Sequence, residues 1–385
     1  MTDFAALARD ALSACGLSMR AAARALNYDP AYLSRVLGGK QPPSRQLAEG
    51  LDRITDSGGR LAAQVVGYGA TSVARDHADP IAVELAHMRS SVAHFLDHDN
   101  LYGGDTVAAA AVQVWRAGQR RLDRGSLPEG VTREYLAAVA EVAQVAGWLL
   151  FDADQQDASR AAFLESHMLA RHAGDRSKQW FALDMLAMQN VERHRTGETL
   201  RIADELLSQA KLPPRVALLA RVRRARALAL AGCRRQALDD LDAVSVGLGD
   251  SLNPRDPSWT WWVNEQEAAG QRGDALLALG DSQAAVPSLQ RACELAGAFR
   301  PDGRGVFYYR VSLLSAYART RAWMEYESTL LSVLPLLETI GSGRNRRRFR
   351  SLMHEIARDT ETPAWVVDLM RSAEPETVQP GGRAC

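Results

Sequence analysis

Ser18-Met19-Arg20-Ala21-Ala22-Ala23-Arg24-Ala25-Leu26-Asn27-Tyr28-Asp29-Pro30-Ala31-Tyr32-Leu33-Ser34-Arg35-Val36-Leu37-Gly38-Gly39-Lys40 holds two short helices and the turn between them. Ser18 is placed to cap the first by accepting a backbone N–H bond, and that helix reaches about Leu26. Asn27-Tyr28 makes the turn; Asp29 caps the second helix, with Pro30 at its favoured first position, and Gly38-Gly39 stops it. Ala22, Ala23 and Leu26 share one face of the first helix, and Leu33 and Val36 share one face of the second. A turn this short forbids antiparallel packing, so the two faces meet only if the helices cross steeply. Small Ala22 and Ala23 permit that close crossing.

Working outward, Phe4, Leu7, Ala8, Ala11 and Leu12 give a preceding helix its apolar face, and Gly16 ends it. Pro42-Pro43-Ser44 opens a following helix, from about Ser44 to Thr55, and Asp56-Ser57-Gly58-Gly59 breaks the chain again. Residues 1–66 read as one small domain, 67–79 as a linker, 80–371 as a larger helical region and 372–385 as a disordered tail rich in Pro and Gly.

The run from Asn27 to Lys40, followed by Pro42-Pro43-Ser44, resembles the phage-repressor, or Xre-like, class of helix-turn-helix transcriptional regulators, in its actinobacterial branch. The resemblance covers about 60 residues, of the size of one such module. It implies that the helix from Pro30 enters the major groove of double-stranded DNA, with Asp29, Pro30, Ala31 and Tyr32 at its base-reading end and Ser34 and Arg35 further along. Arg35 suits a bidentate contact to guanine O6 and N7, and Tyr32 and Ser34 suit a phosphate or a thymine methyl. Lys40, Arg20 and Arg24 are phosphate candidates. The class often carries a glutamine where Met19 stands, and methionine cannot make that phosphate bond. Residues 1–66 hold eight Lys and Arg against six acids, so one copy binds weakly and a homodimer on a two-fold site is expected.

Beyond residue 80 apolar residues recur at helical spacing and no alternating strand pattern stands out, so the whole chain is expected to be all-α. Helices are predicted at 80–97, 105–124, 131–150, 157–173, 177–195, 198–210, 214–231, 234–246, 258–279, 281–297, 305–320, 323–340, 344–358 and 363–371. A small residue or glycine followed by alanines returns at Ala231-Gly232-Cys233 through Ala237 and at Leu279-Gly280-Asp281 through Ala285, more loosely at Thr196-Gly197 and Phe151-Asp152. The spacing of roughly 35 to 48 residues suits stacked helical hairpins of the tetratricopeptide kind; an irregular helical domain without a groove is the alternative. Leu96-Asp97, Leu101-Tyr102-Gly103-Gly104-Asp105 and Gly147-Trp148-Leu149 add to a resemblance with actinobacterial regulators carrying a tetratricopeptide-like C-terminal region.

A solenoid groove that holds an extended peptide needs amides for the peptide backbone and aromatics for its side chains. Gln189, Asn190, Trp262, Asn264 and Tyr309 are the groove candidates, with Trp259, Trp261, Tyr308 and Arg310 nearby; for any one of them ordinary core and hairpin packing is the plainer reading. Arg344, Arg346, Arg347, Arg348 and Arg350 could neutralise DNA or an acidic partner, or form a solvated face paired with acids such as Glu355 and Asp359.

The formal charge is +0, so nucleic-acid affinity must come from a local patch. The N-terminus lacks a basic, apolar leader, and the longest apolar candidate, Tyr135 to Phe151, is broken by Glu141 and Gln144, so a cytoplasmic protein outside the membrane is expected. Cys15, Cys233, Cys293 and Cys385 lack zinc-site spacing and read as free thiols. His94 and His98, one turn apart with His87 earlier, read as helix-surface histidines rather than a zinc pair. Gly249-Asp250-Ser251-Leu252 spells an esterase motif, but between helices and without a strand it reads as a turn. Neither cofactor nor catalysis is expected. The chain reads as a regulator whose body dimerises and senses a peptide, small molecule or protein; the rival is a protein-interaction scaffold whose helix-turn-helix does not read DNA.

Overall fold

The computed structural model describes residues 4–26, 28, 30–39, 43–68, 79–125, 127–250 and 253–373. Helices α1 (Phe4–Ala14), α2 (Met19–Ala25), α3 (Pro30–Leu37), α4 (Arg45–Thr55) and α5 (Arg60–Tyr68) form the N-terminal domain. Ser18 Oγ accepts from Ala21 N at 3.1 Å and Ser44 Oγ from Leu47 N at 3.1 Å, so hydroxyls start α2 and α4 where the sequence placed them. Ala22 and Ala23 are wholly buried, and Leu12, Leu26, Leu33, Val36, Leu47 and Leu51 close around them. Helix α5 was not foreseen. The buried carboxylate of Asp52 creates it, accepting from Leu61 N at 3.0 Å and Ala62 N at 2.8 Å, two donors orphaned at the start of a helix. Helix α5 runs to Tyr68, and the linker and tail expected from the sequence lie largely outside the described residues.

The body continues through α6 (Pro80–Tyr102), α7 (Ala108–Asp123), α8 (Glu129–Asp152), α9 (Gln156–Ala173), α10 (Arg176–Glu192), α11 (Thr196–Leu207), α12 (Pro214–Leu230), α13 (Arg234–Asp250), α14 (Glu265–Ala278), α15 (Ser282–Phe299), α16 (Arg304–Thr320), α17 (Trp323–Thr339), α18 (Gly343–Arg358) and α19 (Ala364–Ala373). No strand occurs among the described residues. The fold is all-α, a helix-turn-helix domain followed by a helical solenoid.

One turn geometry repeats through the solenoid. Asp154, His194, Gly232, Gly280 and Arg321 all have positive φ. The N–H of each following residue closes back onto the preceding helix: Gln155 to the carbonyl of Leu150, Arg195 to Asn190, Cys233 to Leu228, Asp281 to Leu276 and Ala322 to Tyr317. These turns join α8 to α9, α10 to α11, α12 to α13, α14 to α15 and α16 to α17, a hairpin about every forty residues. Alanines fill the crossings; Ala225, Ala229, Ala237 and Ala275 are buried together with Leu241.

The region expected as one helix over 258–279 is two pieces. A 3-10 turn spans Ser258–Trp262, and Asn264 then starts α14 by accepting from Glu267 N at 3.1 Å. Asparagine bonds the backbone in this way readily, which ends one element and starts the next. Helix α13 runs to Asp250 rather than 246, because Gly247 packs against Leu218 of α12 instead of ending the helix.

The first helices of successive hairpins pack on one another, α8 on α10, α10 on α12, α12 on α14 and α14 on α16. That inner layer closes on itself: α16 touches α6, and α18 touches α8. Helix α8 is long and apolar enough to cross a bilayer, but most of it is buried as an inner helix. At the seam Asp105 N donates to Gly341 O at 3.0 Å and Gly341 N to Tyr102 O at 2.6 Å. Gly103 has φ +84, and a Cβ there would lie 2.4 Å from the Gly341 carbonyl, so the seam requires glycine. Beside it Asp152, fully buried, accepts from Ser342 Oγ at 2.9 Å, Arg344 Nη2 at 3.3 Å and Gly104 N at 3.2 Å. Removing one partner of a buried pair leaves the other charge uncompensated, typically about 3–5 kcal/mol. Asp152→Asn should therefore lower the unfolding free energy in urea by about 3 kcal/mol or more; a midpoint unchanged from wild type would remove the seam as a stabilising feature.

Candidate nucleic-acid interface and the cavity behind it

Helix α3 stands on α2 and α1 with Leu33, Val36 and Leu37 buried beneath it. Its outer side carries exposed Ser34 and half-buried Arg35, and Arg20 is exposed on α2. Asp29 and Lys40 lie outside the described residues, and of Arg24, Pro30 and Ala31 only the helical backbone is described. Tyr32 corrects the sequence reading. It was expected at a phosphate or a thymine methyl, yet it is 4% exposed and stacks on Tyr28 with ring centroids 5.5 Å apart. The aromatic face of α3 is turned to protein, which leaves the polar face, Ser34 and Arg35, outward.

Tyr28, in the turn before α3, reaches the body. Its ring stacks on Trp261 at 5.4 Å and meets Phe299 edge-on at 5.6 Å, and Arg53 Nη1 donates to the Phe299 carbonyl at 3.1 Å. Three residues per turn make a 3-10 segment throw successive side chains in different directions. Trp259 turns to α10, stacking on Phe181 at 4.3 Å and donating to Ser177 Oγ at 3.0 Å. Trp261 points to the N-terminal domain, and Trp262 lies 5.9 Å from the Arg223 guanidinium. One short aromatic segment thus joins the two parts of the chain.

Inside the ring lies a cavity of about 500 Å³. The inner helices line it, and Leu26 and Tyr28 of the N-terminal domain complete the wall. Several of its charged groups come in buried pairs. Arg223 grips Asp184 with two bonds, at 3.0 and 3.1 Å, and lies 3.5 Å from Glu267. Arg226 lies 2.7 Å from Asp274, which also accepts from the Tyr308 hydroxyl at 2.6 Å. Burial alone would raise the Asp274 carboxyl, but Arg226, Arg348 and Tyr308 hold it down at about 2. Asp99 accepts from Trp148 Nε1 at 2.8 Å and lies 3.3 Å from Arg304 Nε; burial still pushes its carboxyl up.

Of the groove candidates, Trp262, Asn264 and Tyr309 line this cavity. Gln189 and Asn190 do not: Gln189 Nε2 donates to the Gln156 carbonyl at 2.6 Å, and Asn190 Oδ1 accepts from Arg160 Nη1 at 3.2 Å. Each amide is turned between helices, where Gln189 Nε2 satisfies a backbone carbonyl and Asn190 Oδ1 a guanidinium, while Gln189 Oε1 stays buried without a hydrogen-bond partner among the described residues. The arginine run of α18 is corrected too. Arg344 is buried on Asp152, Arg346 lies 3.5 Å from Asp105, Arg347 bonds Asp154 at 2.7 Å and Glu192 at 2.9 Å, and Arg348 bonds Ser312 at 2.9 Å. Glu355 and Asp359 pair with Arg319 and Arg321 instead. The run is mostly a staple across the seam, neither a DNA patch nor a wholly solvated face. Sequence reading missed Arg223, Arg226 and Arg304, because only the ring closure brings them to one place.

Among the described residues no cluster of three or more His, Cys, Asp or Glu could hold a metal. Cys15 and Cys233 are exposed and Cys293 half-buried, all free; Cys385 and Ser251 lie outside the described residues. Residues 3–65 match the family model of a helix-turn-helix domain, the span of α1 through most of α5. A search of curated proteins finds no match to the chain. The N-terminal domain is thus a helix-turn-helix module, a DNA-binding class.

The depressed Asp274 carboxyl gives a signed pH dependence. Its ionised form is favoured in the folded protein, so its contribution is present above the unfolded value of about 3.9 and is lost as pH falls towards 2. The stability gap between wild type and Asp274→Asn, read by urea unfolding, should be widest at pH 5 and above and shrink below about pH 4. A gap that stays constant with pH would contradict the assignment.

Proposed function

We propose that this protein is a sequence-specific, DNA-binding transcriptional regulator of the Xre-like kind, acting in the cytoplasm as a homodimer. Helix α3 would lie in the major groove, with Arg35 reading guanine and Ser34 at a neighbouring phosphate or methyl. Arg20, Arg24 and Lys40 would pair with phosphates, and Asp29, Pro30 and Ala31 would set the start of the reading helix. Tyr32 takes no part, being buried on Tyr28. The tetratricopeptide-like body would sense a peptide, small-molecule or protein effector, and no turnover chemistry is ascribed to it.

The observation that carries the reading is the helix-turn-helix match over residues 3–65 together with the outward polar face of α3. A second reading draws on the Tyr28–Trp261 contact: a scaffold whose helix-turn-helix has become a protein-docking module. Arg35→Ala separates the two. Binding sites mapped genome-wide and then titrated by fluorescence anisotropy should lose about 1–3 kcal/mol with Arg35→Ala at unchanged salt slope. Arg20→Ala should instead lower the salt slope by about one on all sequences. Unchanged occupancy with Arg35→Ala would favour the scaffold.

A further inference from the structure

Part of the cavity wall is the same turn that leads into α3. Leu26 ends the helix before it and Tyr28 sits in it, and both line the cavity. An occupant would touch the DNA-reading domain directly, with no relay through the solenoid. The cavity size falls in the range of small-ligand pockets, roughly 300–1,000 Å³.

The lining specifies chemistry. Aromatic rings supply flat apolar faces, chiefly Trp148, Trp261, Trp262, Phe299 and Tyr309. Cationic side chains outnumber anionic ones six to four. The acids are largely engaged: Glu141 with Lys178, Glu192 with Arg347 and Glu267 with Arg223. Arg304 differs from the other inner arginines. Its guanidinium lies 4.7 Å over Trp148, and among the described residues its ion pair is with Asp99, 3.3 Å from Nε. Among the described residues no protein acceptor takes a hydrogen from its two terminal nitrogens. Arg300, in the lining beside Phe299, makes no side-chain hydrogen bond or ion pair with them either. A forked guanidinium with open terminal nitrogens fits a carboxylate bidentately. Asp99 and the nearby acids disfavour a dianion such as a phosphate monoester.

We propose that this cavity binds a small organic monocarboxylate with a flat apolar body, held by Arg304 with Arg300, and that the helix-turn-helix domain forms part of its wall. The proposal rests on the reading of the body as a sensor and names what it senses. Because Tyr28 contributes to both the cavity and the start of the reading helix, occupancy and DNA affinity are linked reciprocally.

The test uses the full-length protein and isothermal titration with benzoate, naphthalene-2-carboxylate and indole-3-acetate, each against its neutral alcohol, with phenyl phosphate as the dianion arm. At least one acid should bind about tenfold or more tighter than its alcohol, as an added charge-assisted bond implies. Arg304→Gln should abolish that preference, and Arg300→Gln, on a half-exposed residue, should reduce it without a risk to folding. Trp261→Ala, which loosens the wall, should weaken the acid and shift DNA affinity together. If every acid binds no better than its alcohol, or phenyl phosphate binds best, the proposal is overturned. Acid binding untouched by Trp261→Ala overturns the shared wall. DNA binding that responds to cell extract while all acids fail leaves the regulator reading standing. Acid preference without any DNA preference sinks that reading and keeps the site.

Discussion

Asp152 ends α8 with no exposure to water, and the hydrogens it accepts come from Ser342, Arg344 and Gly104, groups far apart in the chain. A buried carboxylate in such a place must be satisfied on all sides or it destabilises the fold. That requirement ties the last inner helix to the first ones and turns an open stack of hairpins into a ring. The cavity follows from the closure, since each inner helix then faces the same axis. The buried arginines follow as well: Arg223, Arg226, Arg304 and Arg344 all point inward and each has a carboxylate partner.

Pairs of this kind add little net stability compared with apolar packing, because desolvation offsets most of the Coulomb gain. Their effect is on specificity of arrangement. A guanidinium on α12 finds its acids only if α10 and α14 sit in register beside it, as Arg223 does with Asp184 and Glu267. The polar interior therefore fixes how consecutive hairpins pack, while alanines such as Ala225 and Ala237 decide how close they come.

The joint between the two parts of the chain has a different character. Tyr28 meets Trp261 and Phe299 through stacked and edge contacts, with one hydrogen bond from Arg53 to the Phe299 carbonyl. Aromatic contacts of this kind contribute on the order of 1 kcal/mol each beyond burial. A joint of that strength can be shifted by any partner that binds the two states unequally.

The sequence by itself determined the local structure of α1 to α4 in the N-terminal domain. Ser18 and Ser44 cap because a hydroxyl beside an orphaned N–H bonds it wherever the chain goes, and Ala22 and Ala23 permit a crossing that larger residues forbid. The hairpin turns at Gly232 and Gly280 were legible for the same reason, while His194 and Arg321 adopt the same turn without glycine and gave less signal. Helix α5 and the break at Asn264 depend on Asp52 and Asn264 side chains bonding particular backbone groups, which a periodicity reading does not register. Tertiary structure alone decided the rest. Gln189 and Asn190 turned inward to neighbouring helices, Tyr32 turned to Tyr28, and the arginine run found Asp152 and Asp154 far away in sequence. Local propensity acts over a few residues, whereas the partner of a buried charge is set by which distant segment the packed ring brings beside it.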